Sequence, residues 1–445
     1  MKLHDAISTD AISINAACKE AAAYALEALK KAGADKAASK ASRGKKDEFN
    51  VEANKFSLMR TLFNDELILK AIKNNRKGVT RINKLDKDSI DQAVTDCITL
   101  ASSALPDEAE DIAEKIENKN FDQSIGGGGD MDKLFSRTKD FVEQLQDEYP
   151  KVILENMTSD FAGRQTVYLN SNGVEFNTNT EYYQIATMFT AKDGEKSSSF
   201  NTFSAVLASL AVPFMDIDMH RTLIKESEQS LEPRIVEKKF TGKIIVTPAC
   251  NDMIWETIIG CFLSEQSLVE GTSRWKDSLG KKVADAKLTF RASALNPLIV
   301  AAERFTPDGY ESKDFDFIRG GVLESFALSL YGSRKTGKPR ALNSAVGNIE
   351  VACGETPLAE MIKGVDRGIL LNRFSGASPG PSGDVSGVAK NSFLIENGTV
   401  TGALKETMVS FNIIDILGKI DISKERCANG MSVLPWCCFD GITIS

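Results

Sequence analysis

Two dipeptides in the middle of this chain constrain its fold more than any other feature. Asn172-Gly173 and Asp193-Gly194 each separate segments in which apolar and polar residues alternate. Such dipeptides supply the positive φ that a tight hairpin demands. The spacing predicts strands over Val152–Met157, Gln165–Leu169, Val174–Thr178, Tyr182–Ala191 and Ser198–Leu207, joined as an antiparallel meander.

On the N-terminal side, Ile14, Ala17, Ala21, Ala25, Ala28 and Leu29 recur at helical spacing over Asp10–Lys31, and Gly33 stops that helix. Strand patterns follow at Glu48–Ala53, at Ser57–Phe63 and Glu66–Lys73 on either side of Asn64-Asp65, and at Val79–Asn83 after a turn over Asn74–Gly78. A second helix, Ser89–Ser102, offers Ile90, Val94, Cys97, Ile98 and Ala101 to a core. Helices packed on an antiparallel sheet account for this order. Gly126-Gly127-Gly128-Gly129 lacks the Gly-Lys-Ser/Thr of a phosphate cradle and reads as a connection into a helix over Asp132–Asp147.

A chain of 445 residues, 42% hydrophobic and 26% charged, has the length and composition for two to four globular domains. We expect three regions, 1–110, 111–230 and 231–445, in an α+β fold of mixed, largely antiparallel sheets with packed helices. There is no basic leader followed by an apolar run, and no segment of about 18 apolar residues, so a cytoplasmic protein without a membrane span is expected. The eight cysteines include no C-x-x-C pair and read as reduced thiols. A net charge of −8 opposes direct nucleic-acid binding, which needs a basic face.

In the second half, Asp216–Ser230 reads as a helix stopped by Pro233. Lys243–Val246 reads as a buried strand leading to an amphipathic helix that enters through Pro248 and closes near Gly271. Ile254, Ile258, Cys261, Phe262, Glu265 and Leu268 form its stripe. Strands are expected near Lys287–Phe290 and Leu298–Ala301, a helix over Leu358–Asp366 after Thr356-Pro357, and a hairpin at Asn397-Gly398. Cys427 reads as a loop thiol. In the terminal strand, one of Cys437 and Cys438 should face the core and the other outward.

The helix ending in Gly271-Thr272-Ser273 is followed by the LGKKV stretch. Ser382-Gly383-Asp384, Ser386-Gly387 and Ile395-Glu396-Asn397-Gly398 come later, in that order. Together they resemble the PmbA/TldD family of peptide-processing metalloproteases and their partners. In the TldD branch the corresponding helix carries His-Glu-x-x-x-His before Gly-Thr-Ser, with zinc on the histidines and water activated by the glutamate. Counted back from Gly271, those positions hold Glu256, Thr257 and Cys261. A third zinc ligand of that branch is a cysteine near the C-terminus, the region of Cys427.

Catalytic zinc needs three protein ligands and an open position, whereas the chain's two histidines, His4 and His220, lie far from this helix in sequence. The resemblance therefore implies the PmbA (TldE) branch. Such a chain would have no catalytic residues, metal or cofactor of its own, with zinc residing in a TldD-like metalloprotease subunit that it pairs with through 231–445. It also implies a peptide substrate, for which Ser375, Gly376, Ser382, Gly383, Asp384 and Ser386, in and around the 376–386 loop, are groove candidates. The label "modulator of DNA gyrase" attached to the family finds no electrostatic support here as direct DNA binding.

Two other readings compete. One is a stand-alone homodimer that binds a peptide or another ligand without chemistry. The other is an independent hydrolase using Glu256, Thr257, Cys261 or Glu265, which would lack a histidine to activate a nucleophile. Glu256 then reads as a solvated carboxylate, Cys261 as a core thiol and His220 as structural. Arg319, Arg334, Lys335, Lys338 and Arg340 form a local basic cluster that a peptide carboxylate could use.

Overall fold

A computed structural model describes residues 4–125, 128–345, 347–376 and 379–445, with side chains from residue 16 onward. The glycines at 126 and 127 and the loop positions Ala377 and Ser378 thus lie outside the described residues. So does the side chain of His4.

The first layer is an eight-stranded sheet. Its longest hairpin joins β1 (Lys36–Glu52) to β2 (Lys55–Lys73). The turn falls at Ala53 and Asn54, both left-handed at φ 47° and 63°. The expected break at Asn64-Asp65 is absent, since both residues stay in β2 opposite Gly44 and Arg43. Arg43 Nε and Nη2 donate to the Asp65 carboxylate at 2.7 and 2.6 Å, a bidentate pairing that suits Asp65 to mid-strand. The next turn, at Asn74-Asn75, leads into β3 (Arg76–Ile82).

The meander of short strands condenses into two long ones, β5 (Val152–Asn170) and β6 (Glu175–Asp193), with Gly173 left-handed between them as the Asn-Gly signal requires. β4 (Lys119–Gln123) runs parallel to β6, and the spatial order is β3-β2-β1-β5-β6-β4. β1 is central, so residues 1–110 and 111–230 share one hydrogen-bonded layer.

Alternate residues of β1 face the helices. Ala37 and Ala41 meet α1 (His4–Lys31) and α2 (Lys87–Ser103) around Leu29, Leu67 and Leu69. Phe49 and Val51 meet α3 (Met131–Glu148) and α4 (His220–Gln229) around Phe141, Met157 and Ile185. Each fully buried Leu or Phe contributes about 1.5–3 kcal/mol by leaving water, so these faces hold the helices without help from exposed ion pairs.

His220 belongs to this core. Its Nδ1 lies 2.8 Å from the Phe214 carbonyl, which can only accept, so Nδ1 carries the proton and Nε2 accepts from Thr187 Oγ1 at 3.0 Å. The ring stacks between Phe203 and Phe141 at 4.3 and 4.7 Å. Burial pushes its pKa down to about 4. The histidine is structural, as its isolation in the sequence suggested.

The second layer is a 13-stranded sheet. Phe240–Val246 sits at its centre, parallel to Arg367–Leu371 and antiparallel to Val433–Ile444. Both faces of that centre are covered. Ile244 and Val246 join the main core, while Ile245 joins Met361, Val365, Ile395 and Cys438 beneath the helix Leu358–Lys363.

Cys437 and Cys438 are consequently both buried, at 0% and 7% exposure, and the expected outward thiol is corrected. Cys427 lies within the strand Ile420–Ala428, not in a loop. Leu298–Ala301 forms turns instead of a strand, because Pro297 at its start removes a backbone donor. The two layers are tied by backbone. Val206 N–H, in the last strand of the first layer, donates to Asn429 O at 2.8 Å. Gly430 is left-handed, and a Cβ there would stand 1.8 Å from the Val206 carbonyl oxygen.

Candidate functional site

The motif helix is α5 (Pro248–Ile258), entered through Thr247 with proline in its first turn. It does not run unbroken to Gly271. A wide turn with i→i+5 geometry occupies Ile259–Leu263, Ser264 leaves the helix at ψ 150°, and Ser264 Oγ then caps Glu265–Val269 by accepting from Ser267 N–H. Sequence periodicity hid this break, because Ile254, Ile258, Phe262 and Leu268 are buried on either side of it.

The break matters for Glu256 and Cys261, which stand five positions apart. In a regular α-helix that spacing leaves them about 140° apart. Underwinding over the wide turn swings Cys261 back toward the face of Glu256. Glu256 is exposed and Thr257 half-buried. Cys261, half-buried, donates its thiol to the Pro379 carbonyl at 3.2 Å, and burial holds its pKa above the ordinary thiol value.

Pro379 shares a loop with Ser382 and Gly383, while the strands Arg373–Gly376 and Asp384–Lys390 on either side of it carry Ser375, Gly376, Asp384 and Ser386. Gly383 is left-handed at φ 79°, its N–H donates to Gly380 O, and a Cβ there would meet the Phe262 ring at 3.0 Å. The Ser382 carbonyl accepts from Arg274 Nη1 at 3.1 Å and from Asn412 Nδ2 at 3.0 Å. Asn412 also donates to Asp384, and that bond, with one from Ser382, holds the Asp384 carboxyl below its usual range.

Ser386 Oγ pairs with Ser410 Oγ at 3.1 Å, and Ser375 and Gly376 lie opposite Val388 and Gly387 in an antiparallel ladder. The helix and the loop are thus in contact through Cys261 and Phe262. Ser382, Asp384, Ser386, Ser375 and Gly376 are exposed beside them, and Gly383 is buried.

Sequence reasoning missed a second feature at the other end of α5. Asp218, Asp252 and Cys427, with Asn429 and Ser432, line a cavity of about 190 Å³ at the first turn of the helix, between the two layers. Both carboxylates are reached by solvent yet ringed by protein. Desolvation raises each pKa, and at Asp252 the charge of Glu256, one turn along, adds to it. The Cys427 thiol is pushed up by burial and by Asp218. Asp218 is left-handed at φ 48°, a conformation Asp tolerates better than most residues. No local pattern announced it. Nearby, Glu226 is pushed up to about 8 by burial, against a hydrogen bond from Asn372 Nδ2.

The donors at the motif do not fit the zinc that the TldD pattern requires. A zinc-bound cysteine is a thiolate, but Cys261 spends its proton on a carbonyl and Cys427 sits against a carboxylate. Thr257 offers a hydroxyl where a base is needed. Among the described residues, no group of three or more His, Cys, Asp and Glu side chains is placed to hold a metal ion.

Other candidates have structural work. Glu265 accepts from Ser329 and Gly332 N–H at 2.9 Å each, capping the helix Leu330–Thr336. The basic cluster is divided among partners. Arg334 pairs with Asp111, Lys335 with Asp107 at 2.8 Å and Arg319 with Asp316, while Arg340 stacks on Tyr310 and Lys338 lies over Phe326.

Comparison with known proteins agrees with this architecture. Residues 240–445 match the PmbA/TldA metallopeptidase C-terminal domain. TldE from Thermococcus kodakarensis superposes with a TM-score of 0.79 over 94% of this chain and 98% of its own, at 18% identity. The C-terminal region, residues 240–445, belongs to the PmbA/TldD family.

A Bacteroides thetaiotaomicron protein carrying a DNA gyrase modulator description shares the PmbA/TldD fold, with TM-score 0.82, 19% identity, and 96% and 98% of the two chains covered. In sequence, Metalloprotease MJ0996 of Methanocaldococcus jannaschii is 26% identical over 190 residues, 40% of this chain and 42% of that protein. The PmbA homolog of Haemophilus influenzae is 20% identical over 424 residues, 90% and 89% of the two. The match to the Methanocaldococcus protein therefore spans less than half of its length. The α+β class with largely antiparallel sheets is that of the family structures. Among the described residues no helix is long and apolar enough to cross a membrane.

Proposed function

We propose that this chain is a PmbA/TldE-type subunit of a TldD-type metalloprotease acting on unfolded or modified peptides, and that it contributes no zinc chemistry itself. The observation that carries the reading is the Cys261 thiol donating to Pro379, at a position where the catalytic branch has a zinc-binding histidine. A side chain engaged as a donor to a carbonyl closes the helix against its own loop. In this reading the 231–445 region pairs with a TldD-like partner in the cytoplasm. The surface around Ser375, Gly376, Ser382, Gly383, Asp384 and Ser386 then borders the groove that receives an extended peptide.

The test is co-expression with a TldD-like chain from the same cell, followed by peptide-cleavage assays of each chain alone and of the mixture. Cleavage by the mixture only, with zinc found by mass spectrometry only in the partner, is expected. Chelator-resistant cleavage by this chain alone would overturn the reading. An inactive mixture would favour the homodimeric binding protein.

A further inference from the structure

Most of the basic stretch between Arg319 and Arg340 is spent inside the molecule. Arg319 holds Asp316, Arg334 holds Asp111 and Lys335 holds Asp107. Arg340, in contrast, pairs with no carboxylate among the described residues. Its guanidinium lies 3.7 Å from the centroid of the Tyr310 ring, and Nη1 alone donates, to the Ala341 carbonyl at 2.7 Å. The Nε and Nη2 groups remain uncommitted.

Arg340 lines a cavity of about 270 Å³ whose walls come from both layers. Ile116, Lys119 and Phe176 belong to the first, and Tyr310, Lys313 and Leu342 to the second. Lys313 N–H donates to Leu342 O at 2.9 Å, which sets those two side by side. Phe176 is a fixed wall, since its ring is fully buried in a cluster with Phe121, Tyr168 and Phe305.

Charge on these walls is unbalanced. Lys119 and Glu311 satisfy each other at 2.8 Å, and Glu114 close by accepts from the Tyr310 hydroxyl at 2.5 Å. Lys313 has no carboxylate partner among the described residues, so the lining holds three cations against two carboxylates, Glu117 being the second.

We infer that this cavity binds a carboxylate carried on an apolar group about the size of one side chain. That is the chemistry of a peptide's C-terminal residue or of a free arylalkanoic acid. A guanidinium with two N–H groups to spare grips a carboxylate bidentately, and the stack on Tyr310 holds its plane in advance. Lys313 adds a second charge, while Phe176, Ile116 and Leu342 receive the apolar body. One surplus positive charge suits a monoanion better than a phosphate. The volume falls just below the roughly 300–1,000 Å³ that drug-sized ligands occupy, which limits the ligand to about one residue. The inference does not depend on the proposed peptidase role.

Calorimetric titration of the full chain tests it, with 3-phenylpropionate, and with acetyl-Gly-Gly-Phe as the free acid and as the C-terminal amide. Binding of an acid at one site per chain is expected, with the amide at least about tenfold weaker. Binding of the peptide acid identifies a peptide terminus as the ligand, and binding of phenylpropionate alone identifies a free acid. Arg340→Gln should weaken the acid at least about tenfold with circular dichroism unchanged, and Lys313→Gln, at an exposed side chain, should weaken it less. Absence of binding by both acids at millimolar concentration overturns the inference. Equal affinity for acid and amide does so too, as does wild-type affinity in both variants.

Discussion

The Cys261 thiol and the Pro379 carbonyl, 3.2 Å apart, fasten the motif helix to the loop that carries Ser382 and Gly383. Cys261→Ala removes that bond and leaves the carbonyl to water. We expect a loss of about 0.5–1.5 kcal/mol, read by urea unfolding, with faster exchange confined to the amides of Gly380, Ser382, Gly383 and Asp384.

Gly383 tests the same contact from the loop side. Its φ of 79° disfavours any side chain, and a Cβ would press on Phe262 at 3.0 Å. Gly383→Ala should cost about 1–3 kcal/mol, more than Cys261→Ala, as measured by the shift in denaturation midpoint at constant slope.

Glu226 ties stability to alkaline pH. Its carboxyl titrates near 8 in the folded chain against an ordinary 4.5, so between those values the folded state holds a proton that the unfolded state has released. This contribution is fully present below about pH 4.5 and is lost as pH rises through about 8. Glu226→Gln should flatten the pH dependence in that window, as checked by unfolding at pH 5, 7 and 9.

His220 acts in the opposite direction. Its folded pKa of about 4 lies below the ordinary 6.5, so the unfolded state takes up the proton first. Stability supplied by the neutral ring is complete above about pH 6.5 and declines as pH falls through about 4. His220→Gln should cost stability at pH 7 yet reduce the slope between pH 6.5 and 4 in the same unfolding series.

How much of this was legible depended on whether the signal was local. Asn172-Gly173 and Asn397-Gly398 marked their hairpins because a left-handed turn selects its residues directly. Helices α2 and α3 were readable from periodicity for a similar reason. Asn64-Asp65 misled, because its turn propensity was overruled by Arg43, a neighbour in space that the local sequence does not reveal. The wide turn at Ile259–Leu263 was invisible, since the buried Ile254, Ile258 and Phe262 keep an ordinary four-residue spacing into it. At the candidate site, Cys261 meets Pro379 and Gly383 meets Phe262 across more than 100 residues of chain. The Asp218–Asp252–Cys427 cavity joins three segments that only the packing of the two layers brings together.

That cavity gives the molecule a proton inventory. Its walls come from both layers, which the Val206–Asn429 bond holds in register. Any event that parts the layers removes the desolvation that raises the Asp218 and Asp252 carboxyls, and so lowers their affinity for protons. In the acidic range where these carboxyls titrate, binding or assembly at a distant surface is then followed by a calorimetric enthalpy that changes with the ionisation heat of the buffer, even where no ligand touches either carboxylate.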